Sequence, residues 1–269
     1  MAMGEEIDGK LWDYGRKEIP CMDIKQMVEQ GTILKIISGS HLYGTNTENS
    51  DKDYMGICIP TKDYIVGMHK FEQLEERTNP SNSDKQNNKA DNDYTCYSLP
   101  KFIKLAYDNN PNILEMLFVP EESIIYCDVL GRQFLEHRKL FVSKRAYYKF
   151  MGYATAQKRK LITKHPEGLR VEIVKKHGYD TKYASHLIRL LYFGIEILRT
   201  GELVFPTEHK KYLIQIKNGE WPLSQIIDKA TYLENYLEES LKISVLPEYP
   251  NLEEINQLQI NLIERFWSN

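Results

Sequence analysis

The sequence predicts an α+β fold: a small mixed β-sheet with flanking helices, followed by a wholly helical part. Three observations carry this. Strand-like runs of β-branched and apolar residues occur only in the first half of the chain. After about residue 130 the segments 129–140, 143–163, 180–200, 222–242 and 251–266 all show helical spacing of apolar side chains. The composition, with 42% hydrophobic, 11% aromatic and 27% charged residues in a chain of 269, can bury a sizeable core and excludes a disordered chain. The change of pattern puts a first domain at 1–130 and a helical second domain at 131–269. No segment repeats at a fixed period, which excludes a solenoid.

The elements follow in order. Ile24, Met27 and Val28 share one face of a short helix over 24–30 that ends at Gly31. The run 32–38, Thr-Ile-Leu-Lys-Ile-Ile-Ser, suits a buried strand, and Gly39-Ser40 turns the chain out of it. Residues 41–50 are polar and turn-rich. A second strand opens at Asp51-Lys52-Asp53, continues through Ile57 and Ile59, and stops at Pro60. Between 75 and 93 the only aliphatic residue is Ala90, so this segment reads as a mobile loop between strands. A third strand covers 94–97. Ser98 then caps a helix over 99–108 with Pro100 in its first turn. The break Asn109-Asn110-Pro111-Asn112 separates this from a short helix at 113–117, and a last strand covers 123–126.

Charge and cysteine usage exclude several classes. Lys+Arg total 35 and Asp+Glu 38, a net charge of −3, which excludes a polycation but allows a local basic face. Cys21, Cys58, Cys96 and Cys127 are far apart, which excludes CxxC redox or zinc pairs and predicts reduced thiols. No His/Cys set has zinc spacing. The acidic N-terminus predicts no secretory leader, and no apolar run approaches the ~20 residues of a membrane helix. The expectation is a cytoplasmic, soluble protein.

The chemistry concentrates at Gly39-Ser40 and Asp51-Lys52-Asp53. Strand residues alternate faces, so Asp51 and Asp53 project together and Lys52 projects away. Two carboxylates on one face repel unless a cation lies between them, and hard oxygen ligands suit Mg²⁺ or Mn²⁺. Gly39 and Ser40 offer a turn whose amides and hydroxyl can hold a triphosphate. A third carboxylate would complete a site for two ions. Asp93 precedes the third strand on the face of Thr95 and Tyr97 and is preferred, with Asp91 as the fallback. In the helical half, Lys182, His186 and Arg189 are spaced i, i+4, i+7 on one face opposite Leu187, Leu190 and Leu191, where they can meet the triphosphate. From Lys144 to Lys176 ten basic residues stand against Glu167 and Glu172, interleaved with Tyr147, Tyr148, Phe150 and Tyr153, a pattern that can bind nucleic acid or serve as a solvated helix face. Glu115 reads first as structural. The helices at 222–242 and 251–266 read as packing or as a homo-oligomer contact.

The stretch Gly39-Ser-His-Leu-Tyr-Gly-Thr-Asn-Thr-Glu-Asn-Ser-Asp-Lys-Asp-Tyr54 resembles the signature of the DNA polymerase β-like nucleotidyltransferase superfamily. With Tyr97-Ser-Leu-Pro-Lys-Phe102, Asn110-Pro-Asn-Ile-Leu-Glu115, Tyr179-Asp-Thr-Lys-Tyr-Ala-Ser-His186 and Arg189-Leu-Leu191, it resembles the RNA repair pathway, RNA-ligase-associated polymerase-β family (RlaP). The resemblance implies a catalytic nucleotidyltransferase domain and a helical domain for nucleotide and acceptor. It implies divalent metal at Asp51 and Asp53 with a third acid at Asp93, and an NTP near Gly39 and Ser40. The expected reaction moves an NMP from an NTP to an acceptor hydroxyl with release of pyrophosphate, the acceptor being an RNA end in repair or modification. The alternatives are nucleotidyl transfer to a protein or small molecule, and a catalytically silent nucleotide- or RNA-binding module. Two departures stand out: Lys52 between the paired acids, and a long polar loop at 76–92.

Overall fold

The structure is a computed structural model that describes residues 23–48, 50–77, 92–163 and 168–268. Cys21, Asp91, Lys164, Glu167 and most of the polar loop lie outside them. Helix α1 (Ile24–Gly31) is capped by the Asp23 carboxylate, which accepts from the Lys25 amide. It leads into β1 (Thr32–Ser38), α2 (Gly39–Tyr43), β2 (Lys52–Cys58), α3 (Lys62–Ile65), β3 (Gln73–Arg77) and β4 (Asn92–Ser98). After α4 (Leu99–Tyr107) and α5 (Pro111–Leu117), β5 (Ile124–Cys127) completes a five-stranded sheet in the order β3-β4-β2-β1-β5. The sheet is mixed: β2 and β4 run parallel, and every other neighbouring pair is antiparallel. Ser98 caps α4 and Asn110 caps α5, each accepting a backbone N–H of the first turn.

The helical part begins with α6 (Val129–Glu136) and a 3₁₀ turn over Arg138–Phe141. It continues with α7 (Arg145–Thr163), α8 (Leu169–His177), α9 (Thr181–Thr200), α10 (Lys210–Lys217), α11 (Leu223–Ile243) and α12 (Leu252–Ser268). Helix α9 is its axis, with α7, α10 and α11 packed around it. At Gly194 a Cβ would lie 2.9 Å from both Phe150 Cβ and Leu237 Cδ1, so glycine lets α7 and α11 close on α9 there. Helix α12 returns to α4 and α6, and the Trp267 indole donates to the Pro60 carbonyl at 3.2 Å. One hydrophobic cluster runs from Leu34 and Ile36 of the sheet through Phe102 and Phe134 to Phe150, Phe193 and Leu262. A smaller cluster of Met27, Val28, Cys58 and Cys96 lies under α1 on the other face. Cys58, Cys96 and Cys127 are free thiols. Among the described residues no helix is long and apolar enough to cross a membrane.

The architecture matches the expected fold class, with four local differences. Gly39-Ser40 does not simply end β1 but starts the five-residue helix α2. Residues 75–77, assigned to a loop, form most of the edge strand β3. Helices α3, α8 and α10 have no counterpart in the sequence reading. The stretch Arg138–Phe141 is a 3₁₀ turn rather than the end of a continuous α6.

Candidate active site

Strand pairing sets the site. Ser38 at the end of β1 is opposite Asp53 on β2, and Asp53 is opposite Asp93 on the parallel strand β4. Asp51 lies just before β2. Lys52 is exposed, as alternation requires. Gly39 has φ of +64°, and a Cβ there would sit 2.1 Å from Asp53 Oδ2. Glycine is thus needed twice: for the left-handed backbone and for room beside the carboxylate. The cavity in front of these residues, about 280 Å³, is lined by Ser38, Gly39, Asp53, Asp93, Thr95 and Tyr97 of the sheet side and by Tyr43, Asn112 and Glu115 of α2 and α5.

The electrostatics of this cavity are those of crowded acids. Burial raises the Asp53 carboxyl above its ordinary range, and the charges of Asp51 and Asp93 raise it further. His41 and Lys182 oppose the rise. Among the described residues no His, Cys, Asp and Glu side chains gather in threes around a point that could hold an ion. The carboxylates stand side by side in register instead. Their chemistry nevertheless fits a hard divalent cation: oxygen donors only, and a mutual repulsion that such an ion relieves. Asp51, Asp53 and Asp93 are the residues that could hold one.

The helical part contributes cations from two elements. Lys182, exposed at the start of α9, is close enough to act on both Asp53 and Lys217. Lys217, at the end of α10, donates to the Thr45 carbonyl at 3.1 Å. Burial lowers its ammonium below the ordinary lysine range, Lys182 lowers it further, and Asp51 works against both. Nothing in the local sequence singles Lys217 out, because it reaches the site only through the packing of α10 on α9.

Arg189 is placed differently from Lys182. It is 8% exposed, ion-paired to Glu115, and its guanidinium lies 3.9 Å from the Tyr43 ring centre. Burial works against its charge, and Glu115 and Tyr43 more than offset that. Tyr43 in turn donates to Glu115 Oε2 at 2.5 Å. This buried triad joins α2, α5 and α9 behind the cavity. Glu115 is therefore part of the cavity wall and of its support at once. His186, between Lys182 and Arg189, has its imidazole pushed down to about 3 by burial and by the charges of Arg189 and Lys160. Asp180 caps α9, accepting from the amides of Lys182 and Tyr183, and pairs with Arg170. Four buried side-chain atoms among the described residues lack a hydrogen-bond partner: His41 Nε2, Arg145 Nε, Gln157 Oε1 and His186 Nε2.

The basic stretch of α7 and α8 is largely neutralised. Lys144 pairs with Glu248, Arg145 with Asp108, Lys158 with Glu234, Arg170 with Asp180, and Lys175 with Glu172. Among the described residues Arg159, Lys160 and Lys176 make no such pair. Of the interleaved aromatics, Phe150 is core, while Tyr148 and Tyr153 are exposed. Asn110, the cap of α5, donates to the Tyr153 hydroxyl at 3.0 Å.

The family model described as RNA repair pathway DNA polymerase beta family (RlaP) matches residues 18–261, and the chain belongs to this family. It is 35% identical over 132 residues to an uncharacterised 38.9 kDa protein of Enterobacteria phage T4 from the nrdC–mobD intergenic region. That match covers 48% of this chain and 38% of the phage protein, so the chain spans well under half the length of that relative. Among solved structures, the spectinomycin adenyltransferase of Enterococcus faecialis, determined with ATP and spectinomycin, aligns with a TM-score of 0.40 and 14% identity over 79% of this chain and 94% of that one. A nucleotidyltransferase-like protein of Exiguobacterium sibiricum aligns with a TM-score of 0.28 and 10% identity, over 91% and 75% respectively.

Proposed function

We propose that this protein is a nucleotidyltransferase that moves an NMP from an NTP to an acceptor hydroxyl and releases pyrophosphate, the acceptor being an RNA end. The observation that carries the reading is the pairing of Asp53 with Asp93 across β2 and β4, beside a glycine turn that leaves the Asp53 carboxylate room. In this reading the sheet part, to about residue 130, holds the reacting groups, and the helical part binds nucleotide and acceptor. Asp51, Asp53 and Asp93 would hold two divalent ions, Mg²⁺ or Mn²⁺, which when bound neutralise the triphosphate and acidify the acceptor hydroxyl. Gly39 and Ser40 cradle the phosphates, and Lys182 with Lys217 balances the charge of the leaving pyrophosphate. Glu115, Arg189 and Tyr43 fix the wall against which the nucleotide is oriented. The acceptor oxygen bonds to the α-phosphorus, the bond to pyrophosphate breaks, and Asp93, the most exposed of the three acids, takes the hydroxyl proton.

The family description, and Arg159 and Lys160, which make no ion pair among the described residues, favour an RNA acceptor over a protein or small molecule. The test is transfer of label from each of four α-labelled NTPs, with Mg²⁺ or Mn²⁺, to intact tRNA, nicked tRNA and cell extract. An Asp51→Ala/Asp53→Ala variant serves as the control. Label on RNA with wild type alone is the expected result. Label on a protein band would replace the acceptor. Binding of NTP with no label anywhere would favour a silent binding module.

A further inference from the structure

Helix α7 presents Ala146, Phe150, Ala154 and Leu161 as buried residues, and Gln157 falls in the same stripe. A glutamine there is anomalous: it is 8% exposed, and its Oε1 has no hydrogen-bond partner. A buried amide oxygen without a partner destabilises the fold unless a ligand satisfies it. His186 on α9 has the same defect at Nε2. The two belong together. Phe150 abuts Gly194, and the Lys160 charge acts on His186, so α7 and α9 run antiparallel. Moving about two turns on from Phe150 and about two turns back from Gly194 brings Gln157 and His186 to one level of the helix pair.

The surroundings specify what kind of group fits. Arg189, one turn from His186, has its charge taken by Glu115. His186 is held neutral by burial and by its cationic neighbours. Gln157 carries no charge. The ammonium groups of Lys182 and Lys217 lie instead towards Asp51 and Asp53. Along α9, Lys182, whose charge acts on Asp53, thus stands one turn from the neutral hydrogen-bonding pair His186 and Gln157.

Resting on the nucleotidyltransferase reading, we infer that Gln157 and His186 form the subsite for the nucleobase of the NTP, holding its hydrogen-bonding edge, while Lys182 and Lys217 serve the triphosphate. This moves His186 and Arg189 away from phosphate contact: His186 reads the base, and Arg189 positions the wall.

Equilibrium binding of the four NTPs and of inorganic tripolyphosphate to the full chain tests the division. In wild type one NTP should bind more tightly than the others. Gln157→Leu and His186→Phe should each weaken that NTP about tenfold, as expected for a lost hydrogen bond in a dry site, and flatten the preference among bases. Both should leave tripolyphosphate binding unchanged, whereas Lys217→Ala should weaken tripolyphosphate and all NTPs alike. Gln157→Asn and His186→Asn keep the polarity of the site and add no buried charge. They should change the preference without lowering the melting temperature, and they stand in if a bulkier variant does not fold. Variants that retain the wild-type base preference, or that weaken tripolyphosphate as much as NTP, would overturn the assignment. So would a wild type that binds all four NTPs equally. A wild type that binds tripolyphosphate but no NTP, or neither, would instead overturn the nucleotidyltransferase reading itself.

Discussion

Asp53 is the residue on which the site's geometry and electrostatics meet. Burial and the charges of Asp51 and Asp93 raise its carboxyl above the ordinary range, so the folded chain holds a proton there more readily than the unfolded chain does. At low pH both states are protonated and the group is neutral in its effect. As pH rises from the ordinary carboxylate pKa through the raised one, the ionised carboxylate increasingly destabilises the fold. Asp53→Asn should therefore raise the melting temperature of metal-free protein at pH 8 and leave it unchanged near pH 3. It should also abolish the stabilisation by added Mg²⁺ and reduce turnover by at least about 100-fold. Scanning fluorimetry at the two pH values, with and without Mg²⁺, reads all but the last. An unchanged metal-free melting temperature at pH 8 would show that the three acids are not in conflict. Gly39 offers the complementary test. Gly39→Ala adds a left-handed strain of roughly 1–2 kcal/mol and drives its Cβ into Asp53 Oδ2. It should lose turnover as fully as Asp53→Asn while losing stability rather than gaining it.

At the scale of elements, the triad Tyr43–Glu115–Arg189 ties α2, α5 and α9 together. Removing one partner of a buried pair leaves the other charge uncompensated, at about 3–5 kcal/mol. Glu115→Leu or Arg189→Met should cost about that much in urea unfolding, and the double variant should cost clearly less than either. Equal and additive losses would show two independent contacts. A second element-scale device lies at the end of α9. Burial raises the Glu196 carboxyl to about 7, although it accepts the Val204 N–H at 2.9 Å. Stability from this group is therefore lost as pH rises from the ordinary carboxylate range to about 7, and Glu196→Gln, which keeps the acceptor, should stabilise at pH 8 and not at pH 4. Neither device was readable from periodicity, which shows that Arg189 lies on the polar side of Lys182 and His186 but not that Glu115 neutralises it. What was legible were the elements with strong local signals: the β-branched run of β1, the capped start of α4, the apolar spacing of α9, and the alternation that puts Asp53, Thr95 and Tyr97 on one cavity wall. The elements missed lack such signals. Strand β3, Gln-Leu-Glu-Glu-Arg, is a charged edge strand with Leu74 and Glu76 only half-buried. Among its described side chains helix α8 buries none, and α10 buries only Leu213 and Ile216. Short connectors are held by their neighbours, so their own sequence says little.

For the whole molecule, the question is how much of the sequence's basic run is available to a nucleic acid. Ten basic residues between 144 and 176 suggest a strong polyanion site, yet the fold sets carboxylates from distant parts of the chain against them: Asp108 before α5, Glu234 on α11, and Glu248 before α12. These partners are remote in sequence, which is why the local charge count overstated the patch. Among the described residues of this run the cations without an ion pair are Arg159, Lys160 and Lys176, and Lys182 on α9 joins them beside Asp53. Binding of a single-stranded RNA end should release counterions in proportion to the phosphates neutralised, with a slope of log K against log salt of about −0.7 per contact. Three or four contacts give a slope of roughly −2 to −3, whereas ten free cations would give about −7. Fluorescence anisotropy of a labelled single-stranded RNA between about 50 and 200 mM salt measures this directly. Arg159→Ala/Lys160→Ala should flatten the slope by about 1.4. Lys158→Ala, which removes a residue already paired to Glu234, should barely change it. A wild-type slope near −7 would mean that these ion pairs open on binding, and the cleft would then grip RNA along the full length of α7 rather than at an end.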